Sequence, residues 1–81
     1  MNTCLVGTAE YLGSSIEYHL ITDVLDGTER YGILVQLGTE QAAISDISTS
    51  KERVQALAEQ MMAGSVSPIT ARDIVEDWLA Q

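Results

Sequence analysis

Residues 16–37 read IEYHLITDVLDGTERYGILVQL, two runs rich in β-branched and aromatic residues on either side of Asp26-Gly27. A two-residue type I′ turn needs positive φ at both positions, and Asp-Gly adopts it at little cost. We therefore predict a β-hairpin around this turn. Its register predicts these cross-strand pairs: Leu25–Thr28, Asp23–Arg30, Leu20–Ile33, Tyr18–Val35 and Ile16–Leu37. Because side chains alternate between the two faces, this register makes one sheet face almost wholly apolar.

Two more hairpins extend the sheet in both directions. Gly38-Thr39 predicts a type II′ turn, which pairs Val35 with Ala42 and Ile33 with Ile44. Gly13-Ser14 predicts a turn before residue 16. The pairs expected from that turn are Tyr11–Ile16, Glu10–Glu17, Ala9–Tyr18 and Leu5–Thr22. Since like charges directly opposite each other are unfavourable, a slipped or longer first hairpin is the alternative.

After residue 46 the apolar spacing changes to that of a helix. Val54, Leu57, Ala58 and Met61 recur at i, i+3, i+4 and i+7, which predicts a helix over about 50–63. Thr49 and Glu52 have the spacing of a capping box. Gly64 is the expected stop.

A second helix is predicted over about 70–80, with Thr70 and Asp73 as a capping box. The alternative start is Ser67, followed by Pro68 at the first helical position. The apolar stripe of this helix is expected to comprise Ala71, Ile74, Val75, Trp78 and Leu79. Trp78 is expected to be a core anchor between the helix and the sheet.

These elements predict an α+β fold, a four-stranded antiparallel β-meander followed by two α-helices packed on one sheet face. The strands are expected at about 3–11, 15–25, 28–38 and 40–46. With 81 residues, the chain has room for a single domain, residues 1–81.

The charge of the chain limits the classes of partner. Twelve acidic and four basic residues give a net charge of −8, which opposes direct binding to nucleic acid or to anionic membranes. Arg30 is the one basic residue within residues 1–50. The acidic residues of that half are Glu10, Glu17, Asp23, Asp26, Glu29, Glu40 and Asp46. With one cysteine, no signal-peptide pattern and no long apolar run, a cytoplasmic location is expected.

No group of residues predicts a catalytic, cofactor or metal site. His19 is the only histidine and falls on the sheet face away from the predicted core, beside Thr8 and Leu34. Cys4 has no basic residue near it in sequence and is expected to be a small apolar filler. Asp73, Glu76 and Asp77 are expected to cap a helix or face solvent, since calcium loops are longer and contain glycine.

The second sheet face contains apolar residues that two short helices on the other face cannot cover. The predicted register gathers Val6, Ile21, Leu34, Ala43 and Ile47 around Gly32. Exposed contiguous apolar surface usually marks an interaction site, so we predict a homodimer or a partner protein bound there. Asp23–Arg30 and Glu10/Glu17 would form its rim. The alternative is a twisted sheet that wraps these residues into a second, minor core.

Several short motifs resemble a family of short uncharacterised proteins found mainly in clostridia and related Firmicutes. They are Tyr31-Gly32-Ile33, Ile44-Ser45-Asp46-Ile47-Ser48, Pro68 and Asp73-Ile74-Val75-Glu76-Asp77-Trp78-Leu79. The resemblance covers about residues 18–80. It implies a bacterial cytosolic setting, and it implies no activity, cofactor or binding residue.

Three classes of function follow from the sequence. A non-enzymatic protein-interaction module is favoured, since an acidic surface with an apolar patch suits a protein partner. The alternative is an inhibitor that mimics nucleic acid, encoded by a phage or mobile element. An enzyme is least favoured, because no nucleophile, base and orienting group come together.

Overall fold

The structure is a computed structural model that describes residues 2–81. Four strands and two helices follow one another along the chain. Their bounds are β1 Asn2–Tyr11, β2 Ser14–Leu25, β3 Thr28–Leu37, β4 Glu40–Ser48, α1 Lys51–Ala63 and α2 Pro68–Leu79. The strands form one antiparallel sheet in the order β1-β2-β3-β4. The predicted α+β meander with two helices is therefore confirmed.

The two hairpins around β3 have the predicted registers. Leu25 lies opposite Thr28 and Ile16 opposite Leu37, so every predicted β2–β3 pair is present. Asp26 and Gly27 both have positive φ, at 53° and 78°, as a type I′ turn requires. The β3–β4 pairs Val35–Ala42 and Ile33–Ile44 are also present.

The favoured register of the first hairpin is wrong by two residues, and the alternative of a slipped hairpin is correct. Leu12-Gly13, rather than Gly13-Ser14, forms the turn, and Leu12 takes a φ of 51°. This places Tyr11 opposite Ser14 and removes the unfavourable Glu10–Glu17 pair, since Thr8 now lies opposite Glu17. The positive φ of a leucine costs energy. Separating the two carboxylates offsets part of that cost.

Both helices pack on one face of the sheet, and the core lies between the helices and the sheet. Its strand residues are Ile16, Tyr18, Leu20, Tyr31, Ile33, Val35, Ala42 and Ile47; its helix residues are Val54, Leu57, Ala58, Met61, Ala71 and Val75. Trp78 is only half-buried at the margin of this core, with the Arg53 guanidinium 4.8 Å above its ring. Trp78 is therefore not an enclosed core anchor, as predicted, but a half-covered ring that makes a cation–π contact with α1. Leu79, expected in the apolar stripe, is exposed.

Both predicted helix starts need correction. α1 is capped by Ser50, whose Oγ accepts a hydrogen bond from the Arg53 N–H at 3.4 Å, and not by Thr49. α2 begins one turn earlier than predicted, with Ser67 as N-cap and Pro68 at the first position. Here the alternative start is correct, because proline fits the first helical position without losing a hydrogen bond.

The end of α1 is joined to the sheet through one tyrosine. After Gly64, Ser65 takes a φ of 50°, and the Val66 N–H donates to the Met61 carbonyl, a pattern that closes helix ends. The Tyr18 hydroxyl donates to the Val66 carbonyl at 2.7 Å. Tyr18 lies at the centre of the core, and burial raises its pKa. This hydrogen bond therefore fixes the α1–α2 connection to β2.

Two glycines lie where a neighbouring element approaches so closely that a Cβ would overlap it. At Gly32, a Cβ would overlap the Ile44 carbonyl and lie 2.7 Å from the Ser45 Cα, both backbone atoms of β4. At Gly7, a Cβ would instead overlap the Met62 side chain of α1. A backbone cannot move aside as easily as the end of a flexible methionine.

We expect Gly32→Ala to destabilise the protein by about 2 kcal/mol, because β4 must shift to make room. Gly7→Ala is the matched control, and we expect a loss below about 1 kcal/mol because the Met62 side chain can change rotamer. Urea unfolding of both variants measures the difference. Equal losses would contradict this account of the β3–β4 contact.

We expect Tyr18→Phe to cost about 1 kcal/mol at neutral pH through the lost hydrogen bond to Val66. The folded state raises the pKa of this hydroxyl above its ordinary value of about 10, so the unfolded chain loses the proton first. The stability of the wild type should therefore fall relative to Tyr18→Phe once the pH rises above about 10. Chemical unfolding between pH 7 and 11 tests this, and a gap that widens at high pH would overturn it.

Candidate interaction surface

The sheet face opposite the helices, which we call the open face, is not covered by any helix or strand of residues 2–81. Alternation along the confirmed β2–β3 register defines its central side chains. They are Ser15, Glu17, His19, Ile21, Asp23 and Leu25 on β2, and Thr28, Arg30, Gly32, Leu34 and Gln36 on β3.

Of the five residues predicted on this face, Ile21, Leu34 and Ala43 lie there and two do not. Val6 is the extra residue of a bulge between Leu5 and Gly7, and it packs against the helix-side core. Ile47 is buried in that core as well. Bulges turn a strand about its axis and redirect the side chains that follow. The predicted positions of Val6 and Ile47 are therefore wrong.

The bulge in β4 is centred on Asp46, which has a φ of 55°. The strand passes over Gly32 at this point, and Asp46 accepts a hydrogen bond from Arg30 at 3.0 Å. Arg30 lies opposite Asp23 as predicted, yet its ion pair is with Asp46. The Asp23 carboxylate instead accepts the Val24 N–H at 2.9 Å. The single basic residue of the sheet is thus already paired.

Ile21 is almost fully buried, with 1% of its surface exposed, although it lies outside the helix-side core. It sits between Thr3 and Gly32 in the sheet. Twist and neighbouring side chains therefore enclose it, as the alternative of a second, minor core predicted. Leu34 is half-buried and Ala43 is exposed, so the centre of the open face is only partly accessible.

Two exposed leucines that lie on this face are not predicted from the sequence. Leu5 lies opposite His19 and is 54% exposed, and Leu25 at the end of β2 is 51% exposed. The β2–β3 hairpin runs past both neighbours, since β1 pairs only as far as Thr22 and β4 only as far as Tyr31. Leu5 falls on the open face only in the observed register of the first hairpin, and the predicted register placed it on the other face.

His19 lies opposite Leu34 on β3, as predicted, but its neighbour on β1 is Leu5 and not the predicted Thr8. Its Nε2 lies 3.0 Å from Glu17 Oε1, and 18% of its side chain is exposed. Among the hydrogen bonds of residues 2–81, the ring contacts this carboxylate and no hydroxyl or thiol. A histidine and a carboxylate without a nucleophile hold each other in place and form no triad.

The other candidate residues lie apart from the open face. Cys4 is exposed rather than a buried filler, and it lines a small groove beside the start of α1 with Lys51 and Gln55. Asp73, Glu76 and Asp77 are exposed on α2. Within residues 2–81, no three His, Cys, Asp or Glu side chains are placed to hold a metal ion.

One acidic side chain near the sheet end contacts a core tyrosine. Tyr31 donates its hydroxyl hydrogen bond to Glu29 at 2.6 Å. This hydrogen bond to the carboxylate raises the pKa of Tyr31, with burial and the negative charge of Glu29 adding to it. In residues 2–48, Glu17, Asp23, Glu29 and Asp46 thus each have a hydrogen-bond partner.

No helix in the described part of the chain is long and apolar enough to span a membrane. No curated protein and no solved structure matches the chain significantly. The model of one family, described as a family of unknown function (DUF6514), matches residues 3–81. This match includes β1, which the resemblance seen in residues 18–80 does not. The chain therefore belongs to DUF6514, a family of unknown function.

Proposed function

We propose that this chain is a non-enzymatic protein-interaction module that binds a partner protein on the open face. The observation that carries the proposal is the placement of both helices on one side. The half-buried Leu34 of β3 and the exposed Ala43 beside it on β4 therefore have no helix over them. Leu5 and Leu25 add exposed apolar surface at its margins. Such a surface supports docking of another protein.

The charges around this face favour a partner with basic side chains. Glu10, Glu17 and Asp23 project from it by register, while Arg30 is paired with Asp46. Two copies bound face to face would bring these carboxylates together, so a homodimer through this face is disfavoured. Opposite charge on a partner would speed its encounter with the chain.

The setting that we propose is the cytosol of a bacterium, a clostridium or a related member of the Firmicutes. The motif resemblance and the single cysteine support it. A non-enzymatic role is supported by His19, whose ring is held by Glu17 with no nucleophile beside it. No cofactor is part of the proposal.

A nucleic-acid mimic is the weaker proposal. It needs an array of free carboxylates that resembles a phosphate backbone. Four of the seven acidic side chains in residues 2–48 accept hydrogen bonds from other groups of the chain. Three remain for such an array: Glu10, Asp26 and Glu40.

We expect Ala43→Glu to weaken partner binding at least tenfold, because it places a charge beside Leu34 on the docking face. Ala56→Glu is the matched control, an exposed alanine of α1 that receives the same charge. The partner is first captured from a bacterial lysate and identified, and its Kd for the wild type and both variants is then measured by calorimetry.

Salt separates the two proposals in the same experiment. Binding through an apolar face should persist at about 0.5 M salt, whereas a nucleic-acid mimic should release a basic partner there, because charges are strongly screened. A partner whose Kd is unchanged by Ala43→Glu, or weakened equally by Ala56→Glu, would refute docking on the open face.

A further inference from the structure

The two edges of the sheet differ in how they are protected. Each edge strand has a helix packed on it, α1 on β1 and α2 on β4. At β4 the Arg72 guanidinium also donates to the Ala43 carbonyl at 3.4 Å. At β1, no backbone hydrogen bond in residues 2–81 is made outside the ladder with β2. Unprotected edges bind further strands, and proteins usually block them with lysine, proline or a covering element. Strand β1 has neither lysine nor proline.

The turn at Leu12-Gly13 determines which main-chain groups of β1 point outward. Residues that flank a two-residue turn form a hydrogen-bonded pair, and bonded and non-bonded pairs then alternate. Tyr11, Ala9 and Gly7 therefore bond to β2, whereas the N–H and C=O groups of Thr8 and Glu10 face away. The same count from the Gly38-Thr39 turn makes the Ala43 carbonyl point outward, where Arg72 binds it.

We propose that the segment 7–11 of β1 pairs with the same segment of a second copy of this chain, antiparallel and centred on Ala9. Thr8 of each copy then lies opposite Glu10 of the other, and each pair exchanges two main-chain hydrogen bonds. The two sheets become one continuous eight-stranded sheet. This contact is separate from the open face and does not rest on the function proposed above.

Side chains on the helix side make this pairing self-complementary. Centring on Ala9 sets the half-exposed Tyr11 of one copy opposite Gly7 of the other, on the same face. The Met62 side chain of α1 already lies against Gly7, so the Tyr11 ring of the other copy would pack beside this thioether, a favourable sulfur–aromatic contact. Both Tyr11–Gly7 contacts form at once, because a two-fold interface repeats every contact.

Charge also directs two copies to this edge rather than elsewhere on the sheet. Two chains of net charge −8 repel each other, and most of the acidic residues in the first half of the sequence lie on β2, β3 and β4. Strand β1 carries a single charge, that of Glu10. In the proposed register the two Glu10 side chains are diagonal neighbours, about 7–8 Å apart, which leaves a weak repulsion.

Analytical ultracentrifugation of the full chain and three variants tests the proposal. The wild type should dimerise, and Thr8→Pro should weaken the dimer at least tenfold, since proline removes only an outward N–H. Gln41→Pro makes the same change at the outward position of β4 and should leave the dimer intact. Glu10→Gln should strengthen the dimer by removing the diagonal repulsion.

Amide hydrogen exchange tests the same β1–β1 contact in the wild type alone. The amides of Thr8 and Glu10 should become protected as the protein concentration rises, while that of Gln41 should not. A strictly monomeric wild type at high micromolar concentration would overturn the proposal. A dimer that Ala43→Glu dissociates and Thr8→Pro does not affect would also overturn it, because self-association would then use the open face. The calorimetry described above would still decide whether a partner protein binds there.

Discussion

The constraint on which the structure depends is the type I′ turn at Asp26-Gly27. It fixes the β2–β3 register, and that register puts Tyr18, Ile33 and Val35 on one face. A slip of one residue would move every one of these side chains to the opposite face. The core under both helices therefore follows from two residues with positive φ. The helices add the apolar surface that a two-sided sheet of this size lacks on its own.

The elements that the sequence predicts correctly are those with a local cause. Asp26-Gly27 and Gly38-Thr39 adopt their turns because glycine tolerates positive φ, and the α1 stripe follows from helical spacing. The first hairpin was mispredicted because Leu12, a residue that rarely takes positive φ, does so here. The repulsion between Glu10 and Glu17 pointed to a slipped hairpin, and the observed register does avoid that pair.

The candidate face was predicted less well than the fold, for one physical reason. Period-two alternation holds only along an uninterrupted strand, and both outer strands contain bulges. The bulges turn Val6 and Ile47 to the helix side, while Ile21 and Leu34 on the uninterrupted inner strands lie where alternation places them. Nothing in Ser45-Asp46-Ile47 marks the bulge by itself; Gly32, one strand away, makes room for it.

The hydrogen bond from Tyr18 to Val66 has a consequence for the order of folding. Each strand pairs with its immediate neighbour in sequence, so the three hairpins can close with short loops and small entropic costs. The Tyr18–Val66 contact joins residues 48 positions apart. We therefore expect the meander to form early and the helices to dock late, with the tyrosine hydroxyl reaching its acceptor only after the rate-limiting barrier has been crossed.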